Sequence, residues 1–298
     1  MYNSHFKGTG VALVTPFNES GHIDYPALEK VVQHVSDGGV NYLVALGTTA
    51  ETPVLSGDEK KQVVKTILRI NDGKLPVVLG KGGNHTLELI NDLKSTDYEG
   101  IDAILSVTPW YNKPNQEGIY QHFAHVAEAS PVPVILYNVP GRTSSNISAS
   151  TCLRLARDFA GKIIGIKEAS GDLKQIMEII SGKPKDFQVL SGDDGITLAM
   201  IALGGSGVIS VIANAFPTEF STMVNHALNG KIEDARKIHY PLLPIIDAMF
   251  AEGNPAGVKA FMKLQNLLDD NVRLPLVKVS EILSEKITKL HEELEIIS

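Results

Sequence analysis

Eight apolar runs, each closed by turn chemistry and most followed by an amphipathic stretch of helical period, constrain this fold more than any other feature. They are GVALVTP from Gly10, YLVALG from Tyr42, PVVLG from Pro76, AILSVTP from Ala103, VPVILYNVP from Val132, IIGIKEA from Ile163, FQVLSGD from Phe187 and GVISVIAN from Gly207. Continuous rather than alternating hydrophobicity marks strands buried on both faces, the habit of parallel sheets. The stretches between them, such as YPALEKVVQHVSDGG and GDEKKQVVKTILRIN, read as helices, and Ser56, Ser148 and Asp172 carry side chains suited to helix N-caps. Strand then helix, eight times within about 220 residues, predicts an α/β fold of the (β/α)8 TIM-barrel type. From Lys231 onward the pattern is helical only, so residues 1–230 read as the barrel and 231–298 as a C-terminal helical extension.

The strand IIGIKEA ends on Lys167, a residue type rarely buried without a partner. Barrel enzymes build their sites at the carboxyl ends of the strands, which is where Lys167 falls. Period-two alternation puts Lys167 on one face with Gly165 and Ile163, and Ile164 with Ile166 on the other. Gly165 is then expected to leave open space beneath the amine. Apolar walls disfavour the charged form of an amine, and a neutral amine can attack a ketone to form a Schiff base. An ion pair with Glu168 is the plain alternative. On the preceding strand Tyr137 holds the corresponding late place, so its phenol is expected in the same cavity, where it can relay protons. Arg142 follows Pro140 and Gly141 at the rim and suits a carboxylate. Thr48 and Thr49 in LGTTAET offer hydroxyls and adjacent backbone N–H groups for a small anion.

With those residues in place, the chain resembles the dihydrodipicolinate synthase family of pyruvate-dependent aldolases. The likeness runs through GTGVALVTPF, GTTAETPVLS, VTPWYNKPNQEGIYQHF, LYNVPGRT, GIKEASGD, LSGDDG and GVISVIAN. It implies that Lys167 is the Schiff-base residue for pyruvate and that Tyr137, Thr48 and Tyr111 form a proton relay, Tyr111 reaching across from a neighbouring subunit. It implies that Arg142 holds the carboxylate of aspartate semialdehyde, and that Thr49, Gly192 and Ile209 line the pyruvate site. A homotetramer with shared active sites is the implied assembly, and no cofactor is implied. The sister aldolases, N-acetylneuraminate lyase and the 2-keto-3-deoxy-sugar-acid enzymes, are the alternative, separated by Arg142 and by the tyrosine of WYNKP. A catalytically dead barrel serving as a scaffold is not expected to retain Lys167, Tyr137 and Thr48 together.

Two departures stand out. Ala50 replaces the family's usual glycine, which would be strained if the backbone there had positive φ. Trp110 replaces a frequent tyrosine. Asn84 and Glu88 match two ligands of a lysine-binding cleft in relatives, whereas Lys60 stands where lysine-sensitive enzymes commonly have histidine. A fixed cation there predicts weak or absent inhibition by lysine.

The remaining features narrow the class. A net charge of −7 argues against nucleic acid or an anionic membrane as partner. No apolar run reaches the length of a membrane span, and MYNSHFKGTG lacks a signal-peptide core, so the cytoplasm is the expected compartment. The lone cysteine, Cys152, reads as a packed thiol. His122 and His125 lack the further ligands a metal site needs, and no metal is expected. LGKGGNH and LGGSGV complete neither a dinucleotide fingerprint nor a phosphate loop.

Overall fold

In the computed structural model, which describes residues 6–297, the apolar runs form β1 (Gly8–Ala12), β2 (Tyr42–Ala45), β3 (Val77–Lys81), β4 (Ala103–Val107), β5 (Val134–Asn138), β6 (Ile163–Glu168), β7 (Gln188–Ser191) and β8 (Gly207–Ser210). All pair in parallel, in sequence order, and β8 returns to β1. The fold is a (β/α)8 TIM barrel. Its helices are α1 (Tyr25–Asp37), α2 (Gly57–Asn71), α3 (Thr86–Ser95), α4 (Gln116–Ala129), the single turn α5 (Pro140–Thr143), α6 (Ala149–Asp158), α7 (Leu173–Gly182), α8 (Thr197–Ala202) and α9 (Pro217–Leu228). Ser56, Ser148 and Asp172 cap α2, α6 and α7. Ser56 and Glu59 close a full capping box, each side chain accepting from the other's backbone N–H.

Two cores result. The larger lies between strands and helices and contains Ile163 and Ile166. The smaller fills the barrel and contains Val44, Leu105, Ile135, Tyr137, Ile164, Leu190 and Ile209. Simple alternation therefore fails within β6. Val134 of β5 pairs with Ile163 and Ile135 with Gly165, so Ile164 is an extra residue in a β-bulge. The bulge lets Ile164 face the interior although Ile163 and Ile166 both face the helices. Gly165 opens no space beneath Lys167. A side chain there would meet the Gln188 carbonyl oxygen of β7 at 2.7 Å, so its missing Cβ permits close strand approach instead.

The extension forms α10 (Ile232–Phe250), α11 (Ala256–Leu264) and α12 (Glu281–Ile297). The amphipathic pattern of the sequence runs on to Asp270 in the second of these and starts at Leu276 in the third. The second stops early because Asn266 adopts φ +56°, and the third begins late because the Ser280 hydroxyl accepts from the Leu283 N–H. The larger core continues into the extension through Ile245, Met249, Phe261 and Ile287. Cys152 lies fully buried on α6, and burial pushes its thiol well above the usual range. Among the described residues no helix is long and apolar enough to cross a membrane.

Charge also joins extension to barrel. Lys259 of α11 donates to Glu51 Oε1 at 2.5 Å and to the Asn271 carbonyl at 2.8 Å, with both ionic side chains buried. Burial draws the Lys259 amine down to about 8, although Glu51 beside it favours the proton. Removing one member of such a pair alone costs about 3–5 kcal/mol. Nearer the surface, Arg273 grips both oxygens of Glu59, at 2.9 and 2.5 Å. Those bonds, outweighing desolvation, hold the Glu59 carboxyl down at about 2 against an ordinary 4.5. The folded state is thus favoured by ionised Glu59 above pH 4.5 and loses that advantage as pH falls toward 2. Glu59→Gln should lower stability at pH 7 by about 1.5–3 kcal/mol and flatten the acid-side decline. Urea midpoints at neutral and acid pH measure both, and parallel curves for variant and parent would contradict the pairing.

Candidate active site

The carboxyl ends of β5 and β6 set the centre. Tyr137 and Lys167 are register partners, and Lys167 in turn pairs with Leu190 of β7, so all three face the barrel interior. Lys167 is only 5% exposed, and its Nζ lies 4.4 Å from the centroid of the Tyr137 ring. Gly192, after β7, closes the space behind the lysine chain. A Cβ at this position would lie 2.6 Å from Ala169 Cβ and 3.0 Å from Lys167 Cε. Ile209 of β8 is buried in the same inner core.

Glu168 does not pair with the lysine. Its buried carboxylate accepts from Asn138 Nδ2 at 3.1 and 3.0 Å, from the Ser170 N–H at 2.7 Å and from Gln175 Nε2 at 3.2 Å. Burial raises its pKa, and those hydrogen bonds oppose the rise. The alternative of a Lys167–Glu168 ion pair thus gives way to an arrangement that ties β5, β6 and α7 together on the outer side.

The Thr48 turn stands after β2. Leu46 and Glu51 carry the left-handed backbone, at φ +53° and +54°, and Ala50 does not. The strain anticipated at Ala50 is therefore absent, because positive φ falls on Leu46 before the turn and on Glu51 after it. Thr48–Ala50 is a tight 3-10 turn whose Ala50 N–H donates to the Gly47 carbonyl. The N–H groups of Thr48 and Thr49 precede that first internal donor, so the turn's own bonding does not consume them. Thr48 is half-buried. The Thr49 hydroxyl accepts from Asn254 Nδ2 at 2.9 Å, which leaves its backbone as the part suited to an anion.

Arg142 lies exposed on α5, where its N–H donates to the Val139 carbonyl. Tyr111 is not brought to Lys167. It is 87% exposed, at φ +67°, with its N–H bonded to the Thr143 carbonyl of the Arg142 turn. Such left-handed backbone at a bulky residue stores about 1–3 kcal/mol. Trp110 N–H donates to Asn84 Oδ1 at 2.7 Å, joining those two residues. Glu88 is exposed in the first turn of α3, 3.6 Å from His85 Nδ1, and Lys60 lies half-buried on α2.

Several polar residues that frame the mouth escaped the sequence reading. Asp194 accepts from the Val211 and Ile212 N–H groups, each at 2.9 Å, and burial pushes it up to about 6. The Asn214 amide binds the Val14 N–H and the Ala12 carbonyl, joining β1 to the loop after β8. Asn138, Asp194 and Asn214 all sit at or just beyond the end of an apolar run, a pattern that would have marked them.

A parallel barrel that buries an amine beside a phenol at its carboxyl rim places together groups that Schiff-base chemistry can use. The chain belongs to the Dihydrodipicolinate synthetase family, whose sequence profile matches residues 5–295. It is 57% identical over 289 residues to a 4-hydroxy-tetrahydrodipicolinate synthase of Flavobacterium psychrophilum, covering 97% of this chain and 98% of the relative. To the enzyme of the same name from Parabacteroides distasonis it is 49% identical, covering 99% of each. The crystal structure of dihydrodipicolinate synthase from Thermotoga maritima superposes with a TM-score of 0.95 at 39% identity, covering 98% of this chain and 99% of that one.

Because Gly192 abuts the lysine chain, Gly192→Ala should displace Lys167 and slow formation of a borohydride-trapped pyruvate adduct by about 100-fold. Mass spectrometry against time measures it; trapping at the parental rate would mean that Ala169 yields instead.

Proposed function

We propose that the chain condenses pyruvate with aspartate semialdehyde through an imine on Lys167, giving 4-hydroxy-tetrahydrodipicolinate, the first step of the diaminopimelate branch of lysine biosynthesis, in the cytoplasm. One observation carries the chemistry: Lys167 is buried at a strand end against a tyrosine ring while the adjacent carboxylate is engaged elsewhere. The names of the relatives favour the synthase over the sugar-acid lyases.

The neutral amine adds to the pyruvate ketone, and loss of water leaves the imine. The N–H groups of the Thr48 turn receive the pyruvate carboxylate, with Thr49, Gly192 and Ile209 lining the site. Loss of a methyl proton converts the imine to an enamine, whose carbon attacks the aldehyde and forms the new C–C bond. Arg142 holds the carboxylate of the aldehyde substrate. The substrate's own amine then displaces Lys167 from the imine carbon, closing the ring and freeing the enzyme. Protons pass through Tyr137, Thr48 and the Tyr111 of a neighbouring subunit in a homotetramer. These steps use only side chains and backbone N–H groups of the protein, so the reaction needs no metal or organic cofactor. The lysine cleft formed around Asn84, Glu88 and Trp110 is weakened as a regulatory site by the Lys60 cation.

Lys167→Ala should abolish the borohydride-trapped adduct; the full adduct on another lysine would end the assignment. Tyr111→Phe and Lys167→Ala should each be poorly active alone. Mixing them should restore part of the activity through hybrid assemblies, and a mixture no better than its components would count against a shared site.

A further inference from the structure

Among the described residues, three hydrogen bonds from beyond residue 250 reach the short turn that carries Thr48 and the Glu51 that closes it. Asn254 Nδ2 donates to Thr49 Oγ1 at 2.9 Å, Lys259 Nζ to Glu51 Oε1 at 2.5 Å, and the Arg273 N–H to Glu51 Oε2 at 2.9 Å. Lys259 itself is fixed from other sides, by the Asn271 carbonyl at 2.8 Å and by the Phe17 ring, whose centroid lies 4.5 Å away. The turn is bracketed by the left-handed Leu46 and Glu51, conformations that persist only where surroundings over-determine them. For stability alone an apolar pair would serve as well as a buried ion pair. The ion pair differs in being directional: it fixes a carboxylate, and with it the backbone of Glu51, at one place.

We infer that Lys259 and Asn254 are positioning residues through which the C-terminal helices set the Thr48–Thr49 turn against Lys167. The inference rests on the reading of the Thr48–Thr49 turn as part of the active site, through the Thr48 relay or the carboxylate-binding N–H groups. It makes the extension part of the catalytic geometry, although Lys259 and Asn254 touch no substrate.

A double-mutant cycle tests it. Lys259→Met and Asn254→Ala are each made in the parent and in Thr48→Val, with thermal melting recorded separately from kcat. In the parent, Lys259→Met should lower kcat by about tenfold or more and Asn254→Ala by about threefold. In Thr48→Val, where no hydroxyl remains to be placed, the same changes should cost less than about twofold further. Additive losses beside a slow Thr48→Val overturn the inference and leave the relay reading standing. Parental kcat in both Lys259→Met and Asn254→Ala also overturns it. Should Lys259→Met fail to fold, the Asn254→Ala arm decides. Parental activity in Thr48→Val overturns the relay reading instead. The inference is then decided by the pyruvate concentration that half-saturates adduct trapping in Asn254→Ala: a rise supports it, and no change overturns it.

Discussion

The phase of one strand governs where the chemistry can occur. β6 begins with Ile163 toward the helices and, four residues on, turns Lys167 toward the barrel axis, an assignment that strict alternation cannot satisfy. The extra residue at Ile164 absorbs the mismatch. Without it, a one-residue slip would carry the amine to the outer face, among the apolar side chains under the helices. Gly165 allows the bulged strand to stay close to β7, so the correction does not open the barrel wall. A local irregularity thus decides whether the Lys167 amine faces the barrel interior or the helices.

The outward polar residues complement that inward amine. Glu168 follows Lys167 and faces the other way, into a ring of donors from Asn138, Ser170 and Gln175. Burying a carboxylate is unfavourable, and each hydrogen bond offsets part of that cost while locking neighbouring strand ends. Asp194 and Asn214 perform the same service around β7, β8 and β1. The mouth is consequently stiff on the side away from the substrate. Packing and hydrogen bonds of this kind are what hold a functional side chain in one geometry.

The barrel was legible because its signal repeats. Eight apolar runs leave few alternatives, and their order matched the order of pairing. Lys167 and Tyr137 were legible because an amine and a phenol are conspicuous in such runs. The bulge was not, since Ile163–Ile164–Gly165 reads equally well as regular strand. The backbone turns at Leu46 and Glu51 were also hidden, because neither residue type prefers positive φ and tertiary contacts impose it. Lys259 gave no warning either: a lysine in the amphipathic run PAGVKAF reads as a solvated face, and only the packed extension shows it buried. Local pattern reports what a residue prefers, whereas these positions are set by residues far away in the chain.

That distance has a consequence for biogenesis. Glu51 and Lys259 are separated by 208 residues. A ribosome that has just released the Thr48 turn must translate most of the remaining message before the anchor for that turn exists. Until then Glu51 has no counter-ion and its left-handed backbone lacks the support that justifies it. The nascent barrel can gather its early strands, but the turn stays unset until α11 docks, and β1 likewise waits for β8. A chain terminated between β6 and α11 would therefore carry Lys167 but lack the anchor of the Thr48 turn.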